Sequence, residues 1–80
     1  MKAKVYVTLK KGVLDPQGKA VMGALKSMDF NEVSDVRVGK FMELELDGGR
    51  TREEEEERLK VMCEKLLANT VIENYRIEIE

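Results

Sequence analysis

Apolar and polar residues alternate strictly at the start of the chain. The apolar positions share one parity, and they are Ala3, Val5, Val7 and Leu9. A period of two places these side chains on one face of a β-strand, which is therefore half buried. Further along, apolar residues recur at the spacing of one helical face, at Val21, Ala24, Leu25 and Met28. This spacing predicts a helix of about three turns from Pro16 to near Met28.

A longer alternating stretch occupies the middle of the chain. Its apolar members share one parity, which only Lys40 interrupts, and they are Val36, Val38, Met42, Leu44 and Leu46. A two-residue hairpin at Gly39 and Lys40 would mix apolar and polar faces, because the alternation continues unbroken across them. We therefore predict one strand over residues 33–47, bent at Gly39. A hairpin with a three-residue loop would also keep the faces matched, and it would give a ferredoxin-like βαββαβ order.

The second half of the chain predicts one more helix and one more strand. Thr51 and Glu54 have the spacing of a capping box, which marks a helix start. An apolar stripe at helical spacing follows, at Leu59, Met62, Cys63, Leu66 and Leu67. Tyr75, Ile77 and Ile79 then alternate with polar residues in a final strand. The order β-α-β-α-β predicts an α+β fold in a single domain over residues 1–80, with an antiparallel sheet and both helices on one face.

The other face of the predicted sheet and the length of its second strand both suggest contact with a second copy of the chain. Tyr6, Phe41 and Glu43 lie on the polar face and are candidate dimer-interface residues. A strand of about fifteen residues is roughly 50 Å long, which exceeds what so small a sheet can pair internally. A chain of 80 residues also buries only about 60–65% of its unfolded surface, so association would add stability.

Composition excludes several classes of function. The net charge of −2 argues against strong affinity for nucleic acid or an anionic membrane. The chain has one cysteine and no histidine, so it forms no internal disulfide and lacks the commonest general base and metal ligand. We expect Cys63 to be a buried structural thiol, and we predict no catalytic, metal or cofactor site. The single cysteine and the absence of a long apolar run favour a cytoplasmic protein.

The segment GVLDPQG, residues 12–18, carries more signals than a helix start requires. Asp15 and Pro16 suffice for an N-cap and a first helical residue. Gly12, Gln17 and Gly18 are additional. They fit either a tight strand-to-helix connection or a recognition loop, in which glycine allows close backbone approach and the helix N-terminus receives a partner's carboxylate.

Three strings of the sequence resemble one protein family. They are KVYVTLK at residues 4–10, GVLDPQG at 12–18 and VRVGKFMEL at 36–44. Together they look like the PurS subunit of phosphoribosylformylglycinamidine (FGAM) synthase, and the resemblance covers the whole chain. Asp29 departs from the family pattern, which commonly has glycine before the following phenylalanine.

The resemblance implies a non-catalytic subunit of a ligase complex in de novo purine biosynthesis. In such complexes the PurL subunit uses ATP and Mg to convert formylglycinamide ribonucleotide (FGAR) to FGAM, and the PurQ glutaminase supplies ammonia. PurS-like subunits help to assemble the two, are associated with ammonia transfer, and form dimers or sometimes tetramers. On this basis we predict that a set of residues near the two turns contacts PurL or PurQ, namely Gly12, Asp15, Gln17, Gly18, Arg37, Gly39 and Lys40. The alternative is an ACT-like regulatory module that binds a metabolite at a dimer interface.

Overall fold

The computed structural model describes all residues from 1 to 80. Its elements are β1 (Lys2–Leu9), α1 (Pro16–Ser27), β2 (Gly39–Glu45), α2 (Arg52–Met62), a π-helical segment (Cys63–Leu67) and β3 (Glu73–Ile79). The three strands form one antiparallel sheet in the order β2-β1-β3. The predicted α+β class and the antiparallel sheet are confirmed.

The core lies between one face of this sheet and α2. Val5 on the central strand is paired with Met42 on one side and Ile77 on the other. Leu59 and Cys63 project from α2 and its π-helical continuation, and both are fully buried. The alternation at the start of the chain therefore faces the core as predicted, because the central strand has neighbours on both edges and a helix above it.

The first helix does not join this core. Its only buried residue is Gly18, while Val21 and Met28 are 43% and 64% exposed. The expectation that both helices cover the same face of the chain's own sheet is therefore wrong for α1. The molecule is 51 Å long, about twice the roughly 26 Å of the eight-residue strand β1. The apolar stripe on α1 is real, but no part of this chain covers it.

The long central strand is only partly formed. β2 begins at Gly39, where the strand of residues 33–47 was predicted to bend, and it ends at Glu45. Residues 33–38, which we call the arm, have no strand partner within the chain. The hairpin alternative does not form either. The second half of the predicted strand pairs with β1, and the first half is left without a partner.

The end of α1 shows why glycine suits the position that Asp29 occupies in this chain. Asp29 adopts a φ of 70°, in the left-handed region where glycine has no steric penalty. The amide of Phe30 donates to the Leu25 carbonyl and that of Asp29 to the Lys26 carbonyl, both at 3.0 Å. These two bonds form a Schellman motif, which requires a left-handed residue at this position.

The second helix begins as predicted and ends differently. Thr51 and Glu54 form the reciprocal capping box, with hydrogen bonds of 3.0 and 3.2 Å. Its last turn widens to π geometry, in which the amide of Ala68 donates to the Cys63 carbonyl at 2.9 Å. This extra residue per turn rotates Leu66 outward, where it is 83% exposed. Leu66 was predicted to lie on the apolar stripe, and that prediction is wrong.

The chain is more extended than a compact protein of the same mass. Its accessible surface is 5867 Å², whereas a compact monomer of 9.2 kDa has about 4,900 Å². Its radius of gyration is 16.1 Å, against about 12 Å for a compact 80-residue domain. The excess comes from the projecting α1 and arm. None of its helices has the length and apolar character needed to cross a membrane.

Candidate partner-binding site

Asp15 connects the start of α1 to the arm. One carboxylate oxygen accepts the Gly18 amide at 2.9 Å and the other accepts the Val38 amide at 3.0 Å. The residue is only 8% exposed. The backbone hydrogen bonds from Val38 and Gly18, and then the charge of Arg37, hold the pKa of Asp15 below its usual value. The ionised carboxylate already occupies the helix N-terminus, so a partner's carboxylate would be repelled there.

Arg37 fastens the arm to the end of β1. Its guanidinium donates to the Lys10 carbonyl at 3.1 Å and also to the carbonyl of Leu9. Its Nε lies 3.8 Å from the Asp15 carboxylate. Because β1 ends and the arm approaches at the same place, Asp15 and Arg37 together set the direction in which α1 and the arm leave the sheet.

Two of the glycines are required by close contacts within the chain. A Cβ on Gly18 would overlap the Val36 carbonyl oxygen and lie 2.9 Å from the Asp15 carboxylate. A Cβ on Gly39 would overlap the Val7 carbonyl oxygen of the neighbouring strand. Gly12 instead has open space around it and a φ of +87°, which a side chain would strain.

Five of the seven residues predicted to contact PurL or PurQ thus have a structural role in this chain, and two do not. Gln17 is exposed on the first turn of α1. The Lys40 side chain is 60% exposed, with its ammonium 3.8 Å from the Glu73 carboxylate. For all seven, contact with a partner stays a prediction, and Gln17 and Lys40 are the two whose side chains are most available for it.

Two open clefts flank the Asp15 carboxylate. The first has a volume of about 370 Å³, and its lining includes three basic residues, Lys11, Lys19 and Arg37, and two acidic ones, Asp15 and Asp35. The second has a volume of about 290 Å³ and includes Thr8, Gln17, Lys40 and Glu73 in its lining. Thr8, Lys19 and Glu73 were not predicted from the sequence. Only the strand register, which brings the starts of β2 and β3 beside the end of β1, places Thr8 and Glu73 here.

The three predicted dimer-interface residues share the uncovered face of the sheet. The rings of Tyr6 and Phe41 lie 5.0 Å apart, and the Arg76 guanidinium lies 4.1 Å from the centre of the Tyr6 ring. Glu43 pairs with Lys2 at 3.1 Å. Phe41 is 51% exposed. Their grouping on one face is as expected, and their contact with a second copy stays a prediction.

The rest of the chain has few side chains that could react with a substrate or bind a metal. Cys63 is buried, and burial raises the pKa of its thiol, which keeps it protonated at neutral pH. No three side chains of the types that bind metals are close enough to form a metal site. The uncovered apolar helix and the two clefts at one group of loops are features of a small subunit that acts by contacting other proteins.

Comparison with known proteins assigns the family. Residues 2–80 match the family model described as PurS: phosphoribosylformylglycinamidine (FGAM) synthase. The PurS subunit of Bacillus subtilis is 60% identical over 79 residues, which cover 99% of this chain and 92% of that protein. The PurS subunit of Methanocaldococcus jannaschii is 42% identical over 79 residues, covering 99% and 94%. The chain belongs to the PurS family.

Solved structures support the same family assignment. A crystal structure of B. subtilis PurS matches with a TM-score of 0.84 over 99% of this chain and 96% of that one, at 60% identity. A chain in the structure of PurLQS from Thermotoga maritima matches with a TM-score of 0.86 over 96% and 93%, at 31% identity. These findings favour the PurS family over the ACT-like alternative.

Proposed function

We propose that this chain is the small structural subunit of FGAM synthase, which joins the PurL synthetase to the PurQ glutaminase. The observation that carries the proposal is the match over 96% of its length to a chain of the T. maritima PurLQS assembly. In this role it supports the passage of ammonia from PurQ to PurL, in the glutamine- and ATP-dependent conversion of FGAR to FGAM. The chain itself binds no cofactor, since ATP and Mg act in PurL. It works in the cytoplasm.

The functional form of the subunit is a homodimer in which two copies exchange α1 and the arm. The supporting observations are the excess surface, the uncovered stripe of α1 and the unpaired arm. In the exchanged dimer the arm of one copy pairs along the free edge of β2 in the other. Its α1 then covers Met42 and Leu44, which lie on the core face and are only partly buried in the single chain.

The exchange also fits the strand order. β1 is central, β2 and β3 are the two edge strands, and α2 packs against β3, so β2 is the edge strand whose core face has no helix packed against it. Phe41 and Glu43 are on this edge strand, and Tyr6 is beside them on β1. The arm of the second copy would therefore lie next to the aromatic pair.

Gln17 and Lys40 are the side chains that we assign to contact with PurL or PurQ. Both line the second cleft, and neither is needed to hold the arm. Arg37 is less suitable as a contact, because its guanidinium is engaged with the carbonyls of β1.

The assignment is tested by assembly of the complex from its purified subunits. PurL and PurQ of the same organism should sediment as one complex only when this chain is added. The double variant Gln17→Ala, Lys40→Ala should weaken assembly by about tenfold or more, while its unfolding midpoint stays near that of the wild type. Lys26→Ala, a change of an exposed lysine near the end of α1, is the matched control. Assembly by the double variant at wild-type affinity would contradict the site, and assembly of PurL with PurQ in its absence would contradict the function.

A further inference from the structure

The arm and α1 leave the sheet together, and the sheet has an empty position beside β2. We infer that this fold would close into a monomer, with α1 and the arm folded back onto their own sheet, if the central strand could turn between the arm and β2, and that the single residue Gly39 at that position is too short a loop to allow it. The inference rests on the exchange proposed above and deepens it, because it says why two copies are needed.

The topology leaves a place for each of the exchanged elements. If the arm turned back along β2, the sheet order would become arm-β2-β1-β3, and α1 would lie beside α2 on the core face. Met42 and Leu44 would then be covered by the helix of the same chain. This is the ferredoxin-like order. The closed monomer would have the same contacts as the exchanged dimer, but α1 and the arm would come from the same chain as the sheet that they cover.

Two short connections would have to bend for closure, and each contains a glycine. The first runs from the end of β1 to α1, and in it Gly12 has a φ of +87° and nothing within 4 Å of the position that a Cβ would take. The second runs from the arm to β2 through Gly39. Asp15 and Arg37 bridge the two connections through the Val38 amide and the Lys10 carbonyl, so they hold both in the extended form.

The register of the central strand explains why the extended form is preferred. Val38 and Lys40 occupy the same face, and a hairpin that paired them would have Gly39 alone as its loop, whereas hairpins need at least two loop residues. Pairing Val38 with Met42 instead would use Gly39–Phe41 as the loop. That loop would remove three residues of β2 from their register with β1. The straight strand keeps the pairing of Gly39–Phe41 with β1. The arm then points away from its own sheet, so only a second chain can pair with it.

Insertion of one glycine after Gly39 tests the inference. The insertion supplies a two-residue Gly-Gly loop, which allows Val38 to pair with Lys40 in a closed hairpin. In a straight strand it would instead shift the arm by one residue and turn Val36 and Val38 to the polar face. We expect the variant to be a folded monomer of about 9.2 kDa by sedimentation equilibrium, with a cooperative unfolding transition. Amide hydrogens of the arm should be protected from exchange to the same degree as those of β2.

The matched control is one glycine inserted between Gly48 and Gly49, in the turn that precedes α2. At both residues the position that a Cβ would take has nothing within 4 Å, so this insertion changes chain length without changing the strand register. It should leave the association state at that of the wild type.

The outcomes separate this inference from the exchange on which it rests. If the wild-type protein had the mass of a single chain by sedimentation equilibrium, the exchanged dimer would be overturned. With a dimeric wild type, a glycine-insertion variant that stays dimeric, or that loses its cooperative transition, would overturn the closed monomer alone.

Discussion

Gly18→Ala is expected to lower the free energy of unfolding by about 1–3 kcal/mol, although alanine is the better helix former. The added methyl would overlap the Val36 carbonyl oxygen and press against the Asp15 carboxylate. The arm must then move away from α1, and the hydrogen bond from Val38 to Asp15 lengthens or breaks. Chemical denaturation followed by circular dichroism, at one fixed protein concentration, measures the change.

Gly23→Ala is the matched control for this change. Gly23 lies five residues further along the same helix, with nothing within 4 Å of the position that a Cβ would take. The substitution should therefore raise the free energy of unfolding by about 0.5–1 kcal/mol through the higher helix propensity of alanine. If both substitutions raised the free energy of unfolding, or both lowered it, the result would contradict the packing of the arm against the first turn of α1.

Leu59→Ala is expected to have the largest effect of any single truncation, lowering the free energy of unfolding by about 2–5 kcal/mol. Leu59 is fully buried and is the largest of the fully buried side chains. A chain of 80 residues is stabilised by only about 4–12 kcal/mol in total. With so few buried side chains, the cavity has little around it that can collapse to fill it. The variant should therefore be partly unfolded at 37 °C, which a thermal melt detects.

Leu66→Ala is the control for Leu59→Ala. Both leucines were predicted on one apolar stripe, but the π-helical segment leaves Leu66 83% exposed. Its truncation should change the free energy of unfolding by less than about 0.5 kcal/mol. A loss comparable with that of Leu59→Ala would show that the helix continues with α geometry and that Leu66 faces the core.

Most of the elements could be predicted because each depends on neighbours along the chain. The caps at Asp15 and Thr51 are local hydrogen bonds, and the alternation of β1 reflects a strand with one buried face. The extra residue in the π-helical turn has no comparable local signal. The outward position of Leu66 therefore could not be foreseen from its helical spacing.

The position of α1 could not be predicted for a different reason. An apolar stripe shows that a helix face will be covered, but it does not identify the chain that covers it. The unbroken parity across Gly39 was the useful signal, because it excluded a two-residue hairpin and left the arm without a partner in its own subunit. The same limit applies to GVLDPQG, in which the roles of Gly18 and Asp15 depend on Val36 and Val38 some twenty residues away.

The central claim is that this chain is a necessary, non-catalytic subunit of FGAM synthase. The most direct measurement is the rate of glutamine-dependent FGAM formation by PurL and PurQ of the same organism, with and without this chain. We expect glutamine-dependent activity to require the chain, while the activity of PurL with free ammonia changes little when the chain is omitted. Equal glutamine-dependent rates with and without the chain would contradict the account.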